Sequence, residues 1–352
     1  MSVRPFTYDG VPVRVVFGPG ARRRLAAELD RLGLRQVVLI ASGSSRAEAD
    51  ALVEVLDHRV TWRVDGVRQH VPAELVEQVT ADVVQVDGDG VVTLGGGSAT
   101  GLGKSLARSG LPLVAIPTTY SGSEMTTMWG VTTAGRKQTG RDPNVLPKTV
   151  LYDPELTYTL PPLTSAASGL NAVAHCLEAL WAAGASPLSA PLALEGARAL
   201  CEALPHVLAD PSSETARSRA LAGACQAGMA LATGGTGLHH RLCHVLGGRF
   251  DLPHAQTHAA LLPHVVAFNE PAIGAMAARM AVAVGAGRAS TGLHDLCLRM
   301  GLEPALAELG MPEAGIDEVA AEVAAAPPVN PRPVEEAALR SLLRAAWAGD
   351  PP

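Results

Sequence analysis

Five of the eleven histidines in this 352-residue chain fall within twenty positions: His239, His240, His244, His254 and His258. Imidazole changes charge near neutral pH, so such a cluster suits proton transfer or metal binding. His240 and His244 are four apart, as are Asn171 and His175, and on a helix each pair shares one face. His254 follows Pro253 and is expected on a turn, which would let the imidazoles converge. A second set of residues suits phosphate. Gly95-Gly96-Gly97-Ser98 follows an apolar run and precedes Ala99 to Lys104, a segment able to begin a helix. Backbone N–H groups at the positive end of a helix, with no side chains in the way, can cradle a pyrophosphate. The loop is not a GxGxxG fingerprint near the first strand. Farther on, Pro117-Thr118-Thr119-Tyr120-Ser121-Gly122-Ser123-Glu124 sets hydroxyls after the next apolar run, where Ser121 or Ser123 can also cap a helix.

These groups need a scaffold whose loop ends meet. Val37-Val38-Leu39-Ile40, Val91-Val92-Thr93-Leu94 and Leu113-Val114-Ala115-Ile116 read as buried strands alternating with amphipathic segments, the pattern of a parallel α/β sheet. The stretch Leu146 to Glu155 reads as its last strand and exit. Beyond about Leu163, long Ala/Leu segments such as Ala190 to Leu204 and Ser218 to Ala232 have helical length and few β-branched residues. The expected organisation is an α/β dinucleotide-binding domain over 1–160 and an all-helical substrate and catalytic domain over 161–352. Ala324 to Pro333 is read as a connector before a final helix.

Hydrophobic residues make up 47% and aromatics only 3%, which favours Ala, Val and Leu packing over an aromatic-rich sandwich. A net charge of −6, with no basic run longer than Arg22-Arg23-Arg24, argues against nucleic acid or an anionic membrane as partner. Neither a signal peptide nor an 18-residue apolar run is apparent, and a cytoplasmic location is expected. The five cysteines are odd in number and lie in apolar stretches, so buried thiols are expected rather than disulfides.

In order and spacing, Gly95-Gly96-Gly97-Ser98, Pro117-Thr118-Thr119, Tyr152-Asp153-Pro154-Glu155-Leu156 and the histidine cluster resemble the iron-containing alcohol dehydrogenase and dehydroquinate synthase-like superfamily. Tyr120 to Met125, Thr139-Gly140-Arg141-Asp142-Pro143, Leu238 to Gly248 and Phe250-Asp251-Leu252-Pro253-His254 look like its maleylacetate reductase branch. The resemblance implies a nicotinamide cofactor, NADH or NADPH, held in a cleft between two domains. It implies that Gly95, Gly96, Gly97 and Ser98 bind pyrophosphate, with Ser123 nearby, that Thr118 and Thr119 meet the adenine side, and that Lys137 meets a ribose. Ser42 and Gly43 stand where a carboxylate would hold the ribose 2′-hydroxyl, and no acid occurs from Ile40 to Ser45, so poor discrimination between NADH and NADPH is expected.

The superfamily's metal ligands, one Asp and three His, fall on Asn171, His175, His240 and His254. A neutral amide in place of the anionic ligand weakens attraction for a divalent ion, so a metal-independent pocket is expected; if zinc or iron were present, His175, His240 and His254 would hold it. The implied reaction is reduction of the double bond of maleylacetate to 3-oxoadipate, in the degradation of aromatic compounds. His244 first, His240 next, then His254 and His175 are candidates to supply the proton or bond the enolate oxygen. Arg241, Arg141 and Arg249, with Asn171, are candidates for holding the substrate. The alternative is a metal-dependent alcohol dehydrogenase acting on a small carbonyl or alcohol. A homodimer is the assembly the resemblance suggests.

Overall fold

A computed structural model describes residues 6–68, 71–133 and 136–352, with the side chains of Arg136 and Lys137 outside the description. Two compact units are present, Val11–Leu160 and Pro161–Pro352, the second also including Phe6–Gly10.

The first unit is built on β1 (Arg14–Phe17), β2 (Val37–Ala41), β3 (Val60–Val64), β4 (Gly90–Gly95), β5 (Leu113–Pro117) and β8 (Thr149–Tyr152). They form one six-stranded parallel sheet in the order β1-β8-β5-β4-β2-β3. Its helices are α1 (Leu25–Leu32), α2 (Arg46–Leu56), α3 (Ala73–Gln85) and α4 (Gly97–Ala107). Side chains alternate across a strand. Val37, Leu39, Val92, Leu94 and Ile116 therefore pack with Leu25, Leu29 and Leu52 on one face, while Val38, Ile40, Val91 and Leu113 pack with Val79, Val83, Leu102 and Leu106 on the other. Helices cover both faces, which explains why these strands are continuously apolar.

β6 (Met128–Thr133) and β7 (Arg136–Arg141) form a separate antiparallel hairpin. The end of β8 is tied down by Asp153, whose buried carboxylate accepts from the N–H of Gly20 at 3.0 Å and from Arg22 Nη1 at 2.6 Å. Asp153 also caps the turn at Pro154–Thr157 by accepting the N–H of Glu155.

The second unit is helical: α5 (Pro162–Ala179), α6 (Ala190–Ala209), α7 (Glu214–Gly234), α8 (Leu238–Phe250), α9 (His254–Asn269), α10 (Ala275–Val284), α11 (Ala289–Arg299), α12 (Gly315–Ala325) and α13 (Glu336–Ala348). Small residues let α5, α6 and α7 approach closely. A Cβ on Gly196 would stand 2.9 Å from Cys176 Sγ and 3.2 Å from the carbonyl of Gly223. A second core joins Leu242, Leu246, Leu261, Val265, Ile316, Val319, Leu339 and Leu343 from α8, α9, α12 and α13. All five cysteines are buried and free.

Candidate active site

The sheet's order creates a candidate dinucleotide site. The chain leaves β2 toward β3 on one side and leaves β4 toward β5 on the other, and α2 and α4 then cover opposite faces. Loops that diverge at the carboxyl ends of neighbouring strands leave a crevice where such folds bind ligands. The two loops touch, since Ser42 donates its N–H to Leu94 O at 3.0 Å. Gly95 has φ 152°, and a Cβ there would lie 2.9 Å from both Ser42 Cβ and Ala99 Cβ. Thr118 from the third loop donates to Gly95 O at 3.1 Å, and Thr119 Cγ2 would stand 2.9 Å from a Cβ on Gly96.

Gly97 opens α4. No side chain caps this helix, and its first turn carries no acid. The place of a Cβ on Gly97 is 3.8 Å from Ser121 Oγ and 3.9 Å from Ser123 Oγ. Uncapped N–H groups beside hydroxyls, with the intervening space unfilled, fit a pyrophosphate. The structure thus brings together Gly95, Gly96, Gly97, Ser98, Thr118, Thr119 and Ser123. Instead of the helix that Ser121 or Ser123 would cap, a short 3-10 turn spans Ser123–Met125 with Gly122 before it in the left-handed region. The chain must turn there to enter β6. Lys137 lies on β7, its side chain outside the described residues.

Beneath this loop sit three residues that sequence reasoning passed over. Lys104, on α4, is 2% exposed, and its Nζ donates to the carbonyls of Ser123 at 2.6 Å, Thr126 at 2.7 Å and Met128 at 2.8 Å. Thr126 Oγ1 lies 2.9 Å away. Burial pushes this amine down to about 7 against the attraction of Glu124. Four acceptors exceed the two hydrogens of a neutral amine, so the loop is built around the ammonium form. Glu124 is fully buried, which raises its carboxyl, and it accepts from Tyr152 Oη at 2.7 Å.

The helical unit carries the imidazoles. Asn171, His175 and Glu178 follow one another at helical spacing on α5, and all three are buried. α8 carries His239, His240, Cys243 and His244, and α9 begins at His254 and carries His258. His254 is therefore the first residue of a helix rather than part of a turn, because Pro253 takes the capping position and its fixed φ leads into the first turn. The His175 and His240 rings stack at 4.8 Å. His258 stands edge-on to His240 at 4.9 Å and to His254 at 4.5 Å, and His244 is edge-on to His240 at 6.3 Å. His240 Nδ1 lies 2.5 Å from Glu178 Oε2. His239 Nε2 and His258 Nδ1 share a hydrogen bond of 2.8 Å.

Asn171 Oδ1, His175 Nδ1 and His240 Nε2 are buried polar atoms with no protein partner. Buried polar atoms are nearly always paired, so these are places a polar ligand would satisfy. Burial, followed by repulsion from neighbouring imidazoles, holds His175 and His258 well below the ordinary histidine range and His239 at about 3, so all three are neutral at pH 7. His244 and His254 are exposed.

The donor set corresponding to the superfamily's metal ligands is electrically neutral. Among the described residues, the group of three or more His, Cys, Asp or Glu with ligand atoms within 4.8 Å of one another is His239, Cys243 and His258, a different set from His175, His240 and His254. In that group the two rings already bond each other, and burial pushes the Cys243 thiol well above its ordinary value.

The arginines are dispersed. Arg249, on the last turn of α8, pairs with Glu318 at 2.7 Å and Glu322 at 2.8 Å. It lies about 13 Å along the helix from His240, so the structure does not bring it to the imidazoles. Arg241 faces Glu322 at 3.6 Å. Arg141 is exposed at the end of β7, opposite Met128, in the sheet unit. Glu178 is a site residue that sequence reasoning missed; the available signal was a single carboxylate three positions after His175 in a helix with no other acid.

The model of the iron-containing alcohol dehydrogenases matches residues 12–154, and that of the Fe-containing alcohol dehydrogenase family C-terminal region matches residues 165–347. The chain belongs to the iron-containing alcohol dehydrogenase family. This family member is 45% identical to the maleylacetate reductase of Sphingobium indicum over 99% of both chains. It is also 45% identical to that of Burkholderia cepacia over 98% of both. Among solved structures, the maleylacetate reductase of Agrobacterium tumefaciens superposes with a TM-score of 0.96 at 43% identity, covering 99% of this chain and all of that one. As an iron-containing alcohol dehydrogenase relative it is an oxidoreductase that uses a nicotinamide cofactor, and the loop at the head of α4 has the geometry to hold one.

Proposed function

We propose that this chain reduces the carbon–carbon double bond of maleylacetate to 3-oxoadipate, using NADH or NADPH, as a cytoplasmic homodimer in the breakdown of aromatic compounds. In this reading the sheet unit binds the dinucleotide and the helical unit carries substrate and chemistry. Near-full-length likeness to maleylacetate reductases supports the activity. The observation that carries the mechanism is the buried group Asn171, His175 and His240 with unpartnered polar atoms.

Bound nicotinamide supplies the hydride. The N–H groups at Gly97 and Ser98 would hold its pyrophosphate, with Ser123 alongside, and Thr118 and Thr119 would meet the adenine side. Once the alkene carbon β to the ketone is reduced, charge collects on the ketone oxygen as an enolate. His175 faces that charge as an uncharged donor from Nδ1, and Asn171 helps to hold the substrate as an acceptor at Oδ1. His240, carrying hydrogen on both nitrogens for this step, delivers the Nε2 proton to the enolate carbon α to the ketone and keeps its Nδ1 hydrogen toward Glu178. No step is routed through a metal, since the donors lack an anionic ligand and the three superfamily imidazoles do not form a close-set group. Ser42 and the absence of an acid after β2 support use of both NADH and NADPH. No helix among the described residues is long and apolar enough to cross a membrane.

The test is a spectrophotometric assay of NADH and NADPH oxidation with maleylacetate, before and after exhaustive chelation. Both cofactors should be oxidised, and the chelated enzyme should keep its rate. Stoichiometric zinc or iron, with activity lost on chelation and restored by the ion, would favour a metal-dependent dehydrogenase.

A further inference from the structure

Glu178 is fully buried and reaches α8 with both oxygens. Oε1 accepts the N–H of His239 at 2.7 Å. Oε2 accepts the N–H of Gly237 at 2.9 Å and lies 2.5 Å from His240 Nδ1. Each oxygen already accepts a backbone N–H, so the carboxyl group faces the ring as an acceptor. An acceptor at Nδ1 leaves the ring one arrangement, with hydrogen on Nδ1 and proton exchange confined to Nε2. A carboxylate that merely anchored the head of α8 would need the backbone N–H groups alone; the bond to the ring is the additional feature.

Resting on the reading of His240 as proton donor, we propose that Glu178 is a positioning residue for the reduction. It fixes the Nδ1–H tautomer of His240, so that the proton leaves from Nε2. By gripping the first turn of α8 it also sets where that nitrogen stands.

Glu178→Gln keeps the side chain's shape but replaces one acceptor oxygen by an NH₂ group. Whichever way the amide turns, that NH₂ opposes a backbone N–H or the ring, and the grip on His240 loosens. In ¹⁵N-histidine-labelled wild-type enzyme, the His240 signals, assigned by their loss in His240→Gln, should report Nδ1 protonated and Nε2 bare in the neutral form. In Glu178→Gln they should move toward the average of the two tautomers. kcat should drop about 10–100-fold, while KM for maleylacetate and affinity for NADH stay within about threefold. Hydrogen on Nε2 in the neutral wild-type ring would overturn the proposal, as would a Glu178→Gln enzyme with wild-type kcat. Should Glu178→Gln fail to fold, the wild-type spectrum alone decides. A His240→Gln enzyme with wild-type kcat would overturn the donor reading and this proposal with it, whereas an impaired His240→Gln beside an unimpaired Glu178→Gln overturns this proposal alone.

Discussion

His240 and His244 sit four residues apart on α8, but their surroundings differ in what matters to proton transfer. His240 is 5% exposed, backed by a buried carboxylate and stacked on His175, whereas His244 is exposed. Spacing alone ranks the two equally, and only burial separates them. His240→Gln should lower kcat by about 10²–10⁴-fold, the range for general acid–base catalysis, with NADH affinity unchanged. His244→Ala should cost less, and His58→Ala, an exposed histidine beside Asp57, should be silent. Steady-state kinetics with an NADH titration checks this; a larger loss in His244→Ala than in His240→Gln would return the donor role to His244. Glu178 escaped the sequence because its chemistry depends on a partner 62 positions away. A lone carboxylate in a helix has no periodic signature, and nothing local says whether it faces solvent or an imidazole.

At the scale of elements, the glycine loop and α4 act as one piece. Gly97→Asp would put negative charge and bulk where the pyrophosphate must approach, and NADH affinity should fall at least about tenfold. Unchanged affinity in a fluorescence titration would refute the loop's role. Lys104 holds the Ser121–Met128 loop against α4 through three carbonyls. Lys104→Met strands those carbonyls, so it should cost on the order of 3 kcal/mol of stability and weaken NADH binding. Thermal unfolding with the same titration would show it, and a variant as stable and tight-binding as wild type would sink the idea. β2, β4 and β5 were legible because a sheet covered on both faces gives uninterrupted apolar runs. The β6–β7 hairpin was not, since β6 is only partly buried and Arg136-Lys137-Gln138 carries no apolar alternation.

For the molecule as a whole, acid should act through histidines before it acts through carboxylates. Burial, with other imidazoles near, holds His239 at about 3, His264 at about 4, and His175 and His258 well below 6.5. Unfolding returns each to near 6.5, so between about pH 6.5 and 3 the unfolded chain binds protons that the folded chain excludes. Stability should therefore fall as pH drops through that window, by up to about 1.4 kcal/mol per pH unit for each such histidine. Glu178 acts lower down: its contribution is complete above about 4.5 and is lost as pH falls toward 2. Urea midpoints at pH 7, 6 and 5 test this, and a flat profile over that range would contradict the neutral, buried imidazoles.

The helical unit is discontinuous, because Phe6–Gly10 belongs to it although the whole sheet unit intervenes before Pro161. Chains emerge from the ribosome at about 5–20 residues per second, amino end first. The sheet unit, with its helices on both faces, precedes Pro161 and can close while the helical unit is being made. The opening segment has no such freedom. Phe6–Gly10 emerges before the sheet unit and must wait for the helical unit to find its neighbours, so a ribosome stalled far enough beyond Leu160 for β8 to clear the exit tunnel should carry a protease-resistant sheet unit with a cleavable segment before Val11.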